Sequence, residues 1–259
     1  MASAIIGGLL AQGHPASALQ EVEPWDEQRG RLAQQFPGVQ VLPAASDALR
    51  QAELVVWAVK PQTFKEAALA TAPFLSEPLH LSVAAGITSS SMVAWLKTER
   101  IVRAMPNTPA LVGLGMTGLF ARSAASAADR AQVEKVVTTT GELVWVSAEP
   151  LLDAVTALSG SGPAYVFYFL EAMRDAGSAM GLPPAVAQRL AAGTFIGAAT
   201  LAQRSKEPLH TLRERVTSKG GTTHAALASM ESSGIKPAFI AAMHAAQHRA
   251  AELGQEFGG

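Results

Sequence analysis

The first 150 residues alternate between short apolar runs and longer segments of mixed polarity. The clearest run is LVVWAVK at residues 54–60, which is rich in β-branched residues and is stopped by Pro61. Because the runs lack a polar face, they predict a mainly parallel sheet covered by helices on both sides. Strands are predicted at residues 18–23, 39–42, 54–60, 79–86, 115–121 and 143–147, with another beginning at Arg100.

The segments between these runs carry helical patterns. The first is predicted at residues 2–12, where apolar side chains continue up to Gly13, a suitable residue to end a helix. The others are predicted at residues 25–36, 64–74, 90–96 and 129–139, with a short one from Asp47. Gly7 and Gly8 lie inside the first helix, so we interpret them as packing residues.

The pattern changes near residue 150, after which no strand is predicted. Long apolar helices follow at residues 153–180 and 184–203, separated by Gly and Pro breaks. The sequence therefore predicts two domains: an α/β domain at residues 1–150 with a Rossmann-like, mostly parallel sheet, and an all-helical domain at residues 151–259.

Composition and charge exclude several functions. A net charge of -1 gives no broad basic surface for nucleic acid, and the chain has no cysteine for disulfides or thiol chemistry. No apolar run approaches the roughly 20 residues that span a bilayer. His244 and His248 are one helical turn apart but lack carboxylate support, so no metal site is expected. We expect a cytoplasmic protein with no nucleic acid or membrane partner.

Three strand ends carry candidate binding residues. VKPQ, AAG and MPNTP follow predicted strands, at the sheet edge where open parallel sheets bind ligands. Small residues and prolines would let a flat cofactor lie against the backbone, and Asn107 could supply directed hydrogen bonds. Each segment alone is also compatible with ordinary turns. The glycine fingerprint G-x-G-x-x-G is not present after a first strand.

A second candidate site is TSKGGTT, residues 217–223, directly before the helical segment HAALASM. Paired glycines that lead into a helix expose backbone N–H groups at its positive end, which suits a small carboxylate. The alternative is an ordinary Ser or Thr cap after a glycine turn.

Four segments together resemble the pyrroline-5-carboxylate reductase family: AVKPQ, MPNTPALVGLGMTG, DAVTALSGSGPAYVFYFLEAM and LRERVTSKGGTTHAAL. The similarity follows the chain in order over nearly its whole length. It implies reduction of 1-pyrroline-5-carboxylate to L-proline, the last step of proline biosynthesis, with NADPH or NADH. It also implies a helical dimerisation domain that interlocks with its twin in a homodimer, which could assemble further into a decamer of dimers.

The resemblance also assigns site residues. It implies that Thr156, Ser218, Gly221, Thr222 and Thr223 bind the substrate, and that the Thr223 hydroxyl acts in catalysis by hydrogen-bonding the ring nitrogen. No strong general acid is assigned. Lys60 could meet a cofactor phosphate or simply end a strand in solvent. The implied cofactor-binding residues are Ala58, Val59, Lys60, Pro61, Ala84, Ala85, Gly86 and Asn107.

Some features of the resemblance leave alternatives open. The family has a strand and a GGGNMA segment before its first helix, and its final Met-Ala matches Met1 and Ala2. This sequence is therefore expected to lack the first strand and the glycine loop, leaving the sheet incomplete at its N-terminus and weakening NAD(P)H binding. Glu23 could favour NAD and Arg29 NADP. The alternatives are a non-catalytic helical dimer and a reductase of another small imine or hydroxy acid.

Overall fold

The computed structural model describes residues 1–258, which form two compact units. The first unit consists of Met1–Gly162 together with the end of the chain from Ala246, and the second of Pro163–Ala245. The domain boundary at residue 150 stays a prediction. Gly259, the last residue of the predicted helical domain, lies outside the described residues.

The first unit alternates strands and helices, as the sequence predicts. The strands are β1 (Gln20–Val22), β2 (Gln40–Leu42), β3 (Leu54–Trp57), β4 (Leu79–Ser82), β5 (Ile101–Met105), β6 (Gly115–Ala121) and β7 (Gly141–Trp145). The helices are α1 (Ala2–Ala11), α2 (Asp26–Gln35), α3 (Pro61–Thr71), α4 (Ser89–Leu96), α5 (Ala127–Val137) and α6 (Leu151–Val155). The short helix predicted from Asp47 is the 3-10 helix Asp47–Gln51.

The main sheet has the strand order β3-β4-β5-β6-β7, and every pair in it is parallel except β5 with β6. β1 and β2 form a separate parallel pair. The predicted mostly parallel α/β fold is confirmed, with its sheet in two pieces.

Helices cover both faces of the main sheet because successive side chains of a strand point to opposite sides. Leu79 and Leu81 of β4 pack on one face with Ile5 of α1 and Val133 of α5. On the other face, Trp57 at the end of β3 joins a cluster with α3 and α4 that includes Phe64, Met92 and Trp95. The predicted two-sided covering is therefore confirmed.

Two strands are shorter than the apolar runs that predict them. β3 ends at Trp57, not at Lys60, because Lys60 is the N-cap of α3 and Pro61 occupies its first turn. β4 likewise ends at Ser82, and residues 83–86 lead into the turn before α4. The predicted strand boundaries at residues 60 and 86 were wrong, and the remaining residues become loop backbone beyond the sheet.

The end and the packing of the first helix agree with the predictions made from its glycines. It ends at Ala11, and Gly13 has a φ of +84° directly after the cap, a conformation that glycine adopts without strain. A Cβ built at Gly8 would lie 2.6 Å from Thr139 Oγ1 and 2.7 Å from the Thr139 carbonyl oxygen. Gly8 is therefore the packing residue that the sequence predicts, since only hydrogen fits there.

The second unit consists of helices, and the chain contributes no strand from Leu151 through residue 258. Among residues 1–258, no helix is long and apolar enough to cross a membrane. The helices are α7 (Gly162–Ala179), α8 (Pro184–Arg204), α9 (Leu209–Arg215), α10 (Thr222–Ser232) and α11 (Ile235–Phe257), of which α11 runs on into the first unit.

The second unit exposes many large apolar side chains. Its aromatic contacts join helices of the same unit: Tyr165 and Phe169 each lie 5.6 Å from Phe239, measured between ring centroids. In contrast, Tyr168 is 70% exposed and Ile196 is 69% exposed. Apolar patches of this extent usually mark a surface that another protein covers. The helical unit therefore buries little core within one chain.

A buried histidine makes the first unit sensitive to acid. His80 of β4 is 2% exposed, and its Nδ1 accepts a hydrogen bond from Trp57 Nε1 at 3.0 Å. Burial, with a contribution from the Arg100 charge, lowers the pKa of His80 to about 4. The imidazole is therefore neutral in the folded protein at pH 7.

We expect the free energy of unfolding to fall as the pH drops from the ordinary histidine pKa of about 6.5 to about 4. In this window the His80 side chain is protonated in the unfolded chain but not in the folded protein. The free energy of unfolding therefore falls by about 3 kcal/mol over the whole range. Denaturant unfolding at several pH values measures it. His80→Gln keeps an acceptor for Trp57 and cannot titrate, so its stability should fall less; an equal fall in both proteins would contradict the assignment.

Candidate functional site

The segments after β3, β4 and β5 lie at one edge of the main sheet because these three strands are parallel. Ala58 and Lys60 are exposed after β3. Gly86, after β4, has a φ of +72°, and a Cβ built there would lie 3.2 Å from Leu253 Cβ. Ala58 and Lys60 are therefore open to solvent, whereas Gly86 lies close against Leu253 near the end of α11.

Asn107, in the segment after β5, is engaged at both ends of its amide. Its Nδ2 donates to the carbonyl oxygen and to the Oγ of Ser159, both at 3.2 Å. Its Oδ1 accepts from the Met116 N–H at 2.9 Å, and Ser159 Oγ donates to the Met116 carbonyl at 3.1 Å. These bonds form a closed ring that ties the strand end to residue 159.

Ser159 belongs to a π-helical turn, Thr156–Gly160, that interrupts the long helix predicted at residues 153–180. The Ser161 N–H donates to the Thr156 carbonyl at 2.8 Å, five residues back. The Thr156 hydroxyl donates to the Leu152 carbonyl at 2.8 Å. π-Turns are rare and often occur at functional sites. This turn therefore replaces the start of the continuous helix predicted at residues 153–180.

The π-turn and the residue before it fit closely against two strands, at the end of β5 and in the middle of β6. A Cβ at Gly160 would lie 2.6 Å from Met105 Cε, at the end of β5. A Cβ at Gly118 of β6 would lie 2.6 Å from Val155 Cγ1, just before the turn. Since glycine is the residue that lets these elements approach, the position of Thr156 is fixed by packing as well as by the Asn107 bonds.

Asn107→Asp is expected to loosen this turn. The aspartate can still accept from the Met116 N–H, but it loses both donations to Ser159. The free energy of unfolding should fall by about 1 to 3 kcal/mol, and catalytic efficiency should fall with it because Thr156 is held less firmly. Chemical unfolding and steady-state kinetics measure the two effects. Ser159→Ala removes the two bonds of the Ser159 hydroxyl but leaves both ends of the Asn107 amide paired, so it should cost less. Unchanged stability in Asn107→Asp would refute the anchoring role.

An ion pair missed by the sequence reasoning supports the same edge of the sheet. Arg103 of β5 lies 2.8 Å from Glu149, and Glu149 also accepts from the Ser89 N–H at 2.6 Å, at the start of α4. Burial opposes ionisation of Glu149, but the bonds from Ser89 and Arg103 prevail and lower its pKa. No local motif marks this pair, because its members lie 46 residues apart.

The second unit forms the glycine turn as a separate candidate site. α10 begins at Thr222 with Gly221 as its N-cap, and no side chain caps it. Gly220 has a φ of +75°, and the Gly221 N–H donates to the Ser218 carbonyl at 3.0 Å. The alternative of an ordinary Ser or Thr cap is wrong, because glycine occupies the cap position.

The first turn of α10 presents free backbone donors. Its first intrahelical bond runs from the Ala225 N–H to the Gly221 carbonyl at 3.1 Å. Within the described residues, the N–H groups of residues 222–224 have no backbone or side-chain acceptor. Three free N–H groups at the positive end of a helix suit a carboxylate. The turn keeps Ser218, Gly221, Thr222 and Thr223 together.

The structure therefore places the predicted residues in two groups, one in each unit. The first unit holds Thr156 and the predicted cofactor residues from Ala58 to Asn107, and the second unit holds the residues of the glycine turn. The cofactor and substrate roles assigned by sequence remain predictions.

Comparison with known proteins identifies the family. Residues 149–253 match the family described as pyrroline-5-carboxylate reductase dimerisation, and residues 1–86 match NADP oxidoreductase coenzyme F420-dependent. A pyrroline-5-carboxylate reductase of Pseudomonas aeruginosa is 44% identical over 100% of this chain and 95% of its own length. The chain belongs to the pyrroline-5-carboxylate reductase family.

Solved structures of pyrroline-5-carboxylate reductases agree with the fold. The enzyme of Coxiella burnetii is 36% identical and covers 97% of this chain and 94% of its own, with a TM-score of 0.90. The enzyme of Plasmodium falciparum, solved with NADP bound, is 27% identical with the same coverages and a TM-score of 0.86. The predicted family and the Rossmann-like domain with a helical dimerisation domain are thus confirmed.

Proposed function

We propose that this chain reduces 1-pyrroline-5-carboxylate to L-proline with hydride from NADPH or NADH, the last step of proline biosynthesis. The observation that carries this proposal is the 44% identity to a pyrroline-5-carboxylate reductase over the whole chain. The free amide groups at the start of α10 support it, because the substrate carries a carboxylate.

The glycine turn binds the substrate acid in this proposal. The N–H groups of Thr222 and Thr223 and the Ser218 hydroxyl donate to the carboxylate, where charge-assisted hydrogen bonds are strong. Gly221 keeps space beside Ser218, since a Cβ there would lie 2.6 Å from Ser218 Oγ. The Thr223 hydroxyl hydrogen-bonds the ring nitrogen and orients the imine carbon for attack.

The edge of the main sheet and the π-turn hold the cofactor side. The nicotinamide cofactor supplies the hydride when it is bound. A flat cofactor fits best beside Ala58, which is small and exposed, and beside Ala85 and Gly86, which are small and half-buried, while Ala84 is buried in the core. Lys60 is exposed and could meet a phosphate, Val59 and Pro61 line the same loop, and Asn107 and Thr156 are fixed by the bonds of the π-turn.

No acidic or basic side chain is needed to move a proton in this scheme. The glycine turn, from Thr217 to Thr223, contains no Asp, Glu or His, and its one charged side chain, Lys219, is assigned no proton transfer. We infer that the ring nitrogen is protonated before the substrate binds, so that hydride addition at carbon gives the neutral amine directly. The site residues then orient the iminium and neutralise its carboxylate.

The functional assembly in this proposal is a homodimer formed through the helical unit, with further assembly into a decamer of dimers, in the cytoplasm. The exposed apolar side chains of α7 and α8 support self-association. Light scattering of the purified chain, coupled to size-exclusion chromatography, measures its mass. A monomer at micromolar concentration would contradict the dimer, and a dimer alone would contradict the larger ring.

Turnover of pyrroline-5-carboxylate tests the proposed function. The purified chain should oxidise NADPH or NADH only when the substrate is present, and proline should accumulate in equal amount. Short 2-oxo acids, which a hydroxy-acid reductase would reduce, and other cyclic imines serve as a substrate panel. A dimer that binds proline but turns over none of them supports the non-catalytic alternative, and faster turnover of another imine supports a different reductase.

A further inference from the structure

The loop after β1 carries a carboxylate in a fixed position. Glu23 follows the last residue of β1, and its own N–H donates to the Leu42 carbonyl at 2.9 Å, continuing the pairing with β2. Its Oε1 accepts from the Trp25 N–H at 2.9 Å. Glu23 is only partly buried, and it lies at the carboxyl end of β1, where open parallel sheets bind ligands.

The nearby cation is directed into the protein. Arg29 Nη1 donates to the carbonyl oxygens of Glu23 at 3.1 Å and Pro24 at 2.7 Å. Its Nη2 pairs with the Asp26 carboxylate. Arg29 therefore holds the loop in shape, and its charge is already matched by Asp26.

The remaining charge of this segment is negative. Between residues 21 and 31 the sequence has four acidic and two basic residues, a net charge of 2 − 4 = −2. Arg31 pairs with Glu27, as Arg29 does with Asp26. Within the described residues, Glu23 has no cationic partner. A second negative group placed beside it would be repelled.

A flat apolar side chain stands next to this carboxylate. Trp25 is 73% exposed and precedes the first residue of α2. An indole in solvent offers a face on which an aromatic base can stack. A carboxylate and an exposed indole therefore lie two residues apart in this loop.

We propose that Glu23 and Trp25 bind the adenosine end of the cofactor and select NADH over NADPH. Glu23 accepts a hydrogen bond from the 2′-hydroxyl of the ribose and repels a 2′-phosphate, as acidic residues do in dinucleotide-binding sheets. Trp25 stacks on the adenine, and Arg29 positions the loop. The inference rests on the proposed function, and it sets this chain apart from the relative solved with NADP.

Binding of two nucleotide fragments tests the selection without any reaction. ADP-ribose and 2′-phospho-ADP-ribose differ only in the phosphate and lack the nicotinamide. Calorimetry should give a Kd for ADP-ribose at least about tenfold lower. Glu23→Gln keeps the acceptor for Trp25 and removes the charge, so it should bring the two Kd values within about threefold. Glu27→Gln makes the same charge change one helical turn away and should preserve the ratio.

Two further variants separate the parts of the surface. Asp26→Asn frees Arg29 from its partner and should improve binding of the phosphorylated fragment alone. Trp25→Ala should weaken both fragments by a similar factor, and quenching of indole fluorescence on binding should disappear with it.

Equal affinities in the wild-type chain, a preference for the phosphate, or no binding of either fragment would overturn the proposal. So would an unchanged ratio in Glu23→Gln. Because the fragments involve no pyrroline-5-carboxylate, lack of turnover would sink the proposed reaction and leave the fragment preference intact. Conversely, turnover that runs equally well with both cofactors would remove the selection but keep the reaction.

Discussion

Replacing Gly141 with alanine is expected to destabilise the first unit by about 4 kcal/mol or more, among the largest effects of a single substitution. Gly141 has a φ of +144°, which an L-residue rarely adopts, and it is paired in register with Gly115 across β6 and β7. A Cβ there would overlap the Gly115 carbonyl oxygen and lie 2.7 Å from its carbon. Since both neighbours are backbone, neither can rotate away.

Thermal and denaturant unfolding of Gly141→Ala measure this loss, with near-native helical content at low temperature as the sign that the second unit remains folded. Gly30→Ala is the matched control, because Gly30 lies in α2 with nothing within 4 Å of a built Cβ. It should be neutral or slightly stabilising. Similar unfolding midpoints for the two variants would contradict the prediction, because they would show that β6 and β7 can move apart at Gly141.

Thr223→Ala is expected to reduce kcat/KM for pyrroline-5-carboxylate by about 5- to 150-fold, equal to the roughly 1 to 3 kcal/mol of one directed hydrogen bond. The loss should fall mainly on kcat, because the carboxylate still has the backbone N–H groups of residues 222–224. Hydride chemistry should persist, since alanine leaves the helix start and its free donors in place.

Thr223→Ser tests whether the hydroxyl is responsible, and it should recover most of the lost rate. Ser229→Ala, further along α10, removes an exposed hydroxyl from the same helix and should leave kinetics unchanged. An equal loss in Thr223→Ser would indicate that the methyl group matters instead. A loss confined to KM would place Thr223 in carboxylate binding and not at the ring nitrogen.

Much of the first unit follows from hydrophobic periodicity. Residues 115–121 were predicted as a strand and form β6, whose side chains are buried on one face and half-buried at Met116 and Phe120 on the other. Boundaries failed where apolar residues continue past the sheet, as at Ala58 and Val59 after β3. A hydrophobic run indicates that its residues are buried, but it does not indicate whether a neighbouring strand forms hydrogen bonds with them.

The π-turn could not be predicted from the chain alone. Residues 153–180 have the composition of one helix, and the extra residue in the turn is held by Asn107 and Met105, which are distant in sequence. The glycine turn before α10 was easier, since its cap and its free donors depend on neighbouring residues only. Local chemistry is visible in a sequence, whereas the partner of an amide such as Asn107 is decided by the fold.

The end of α11 gives the first unit a constraint on when it can fold. Leu253 packs against Gly86, and Ser91 Oγ donates to the Gly258 carbonyl at 2.6 Å. During synthesis, α3 and α4 leave the ribosome long before these partners do. Domains generally fold as units, so the packing of the first unit is completed only after the end of the chain has emerged. The loop after β4 therefore reaches its final surroundings only when the last turn of α11 has been made.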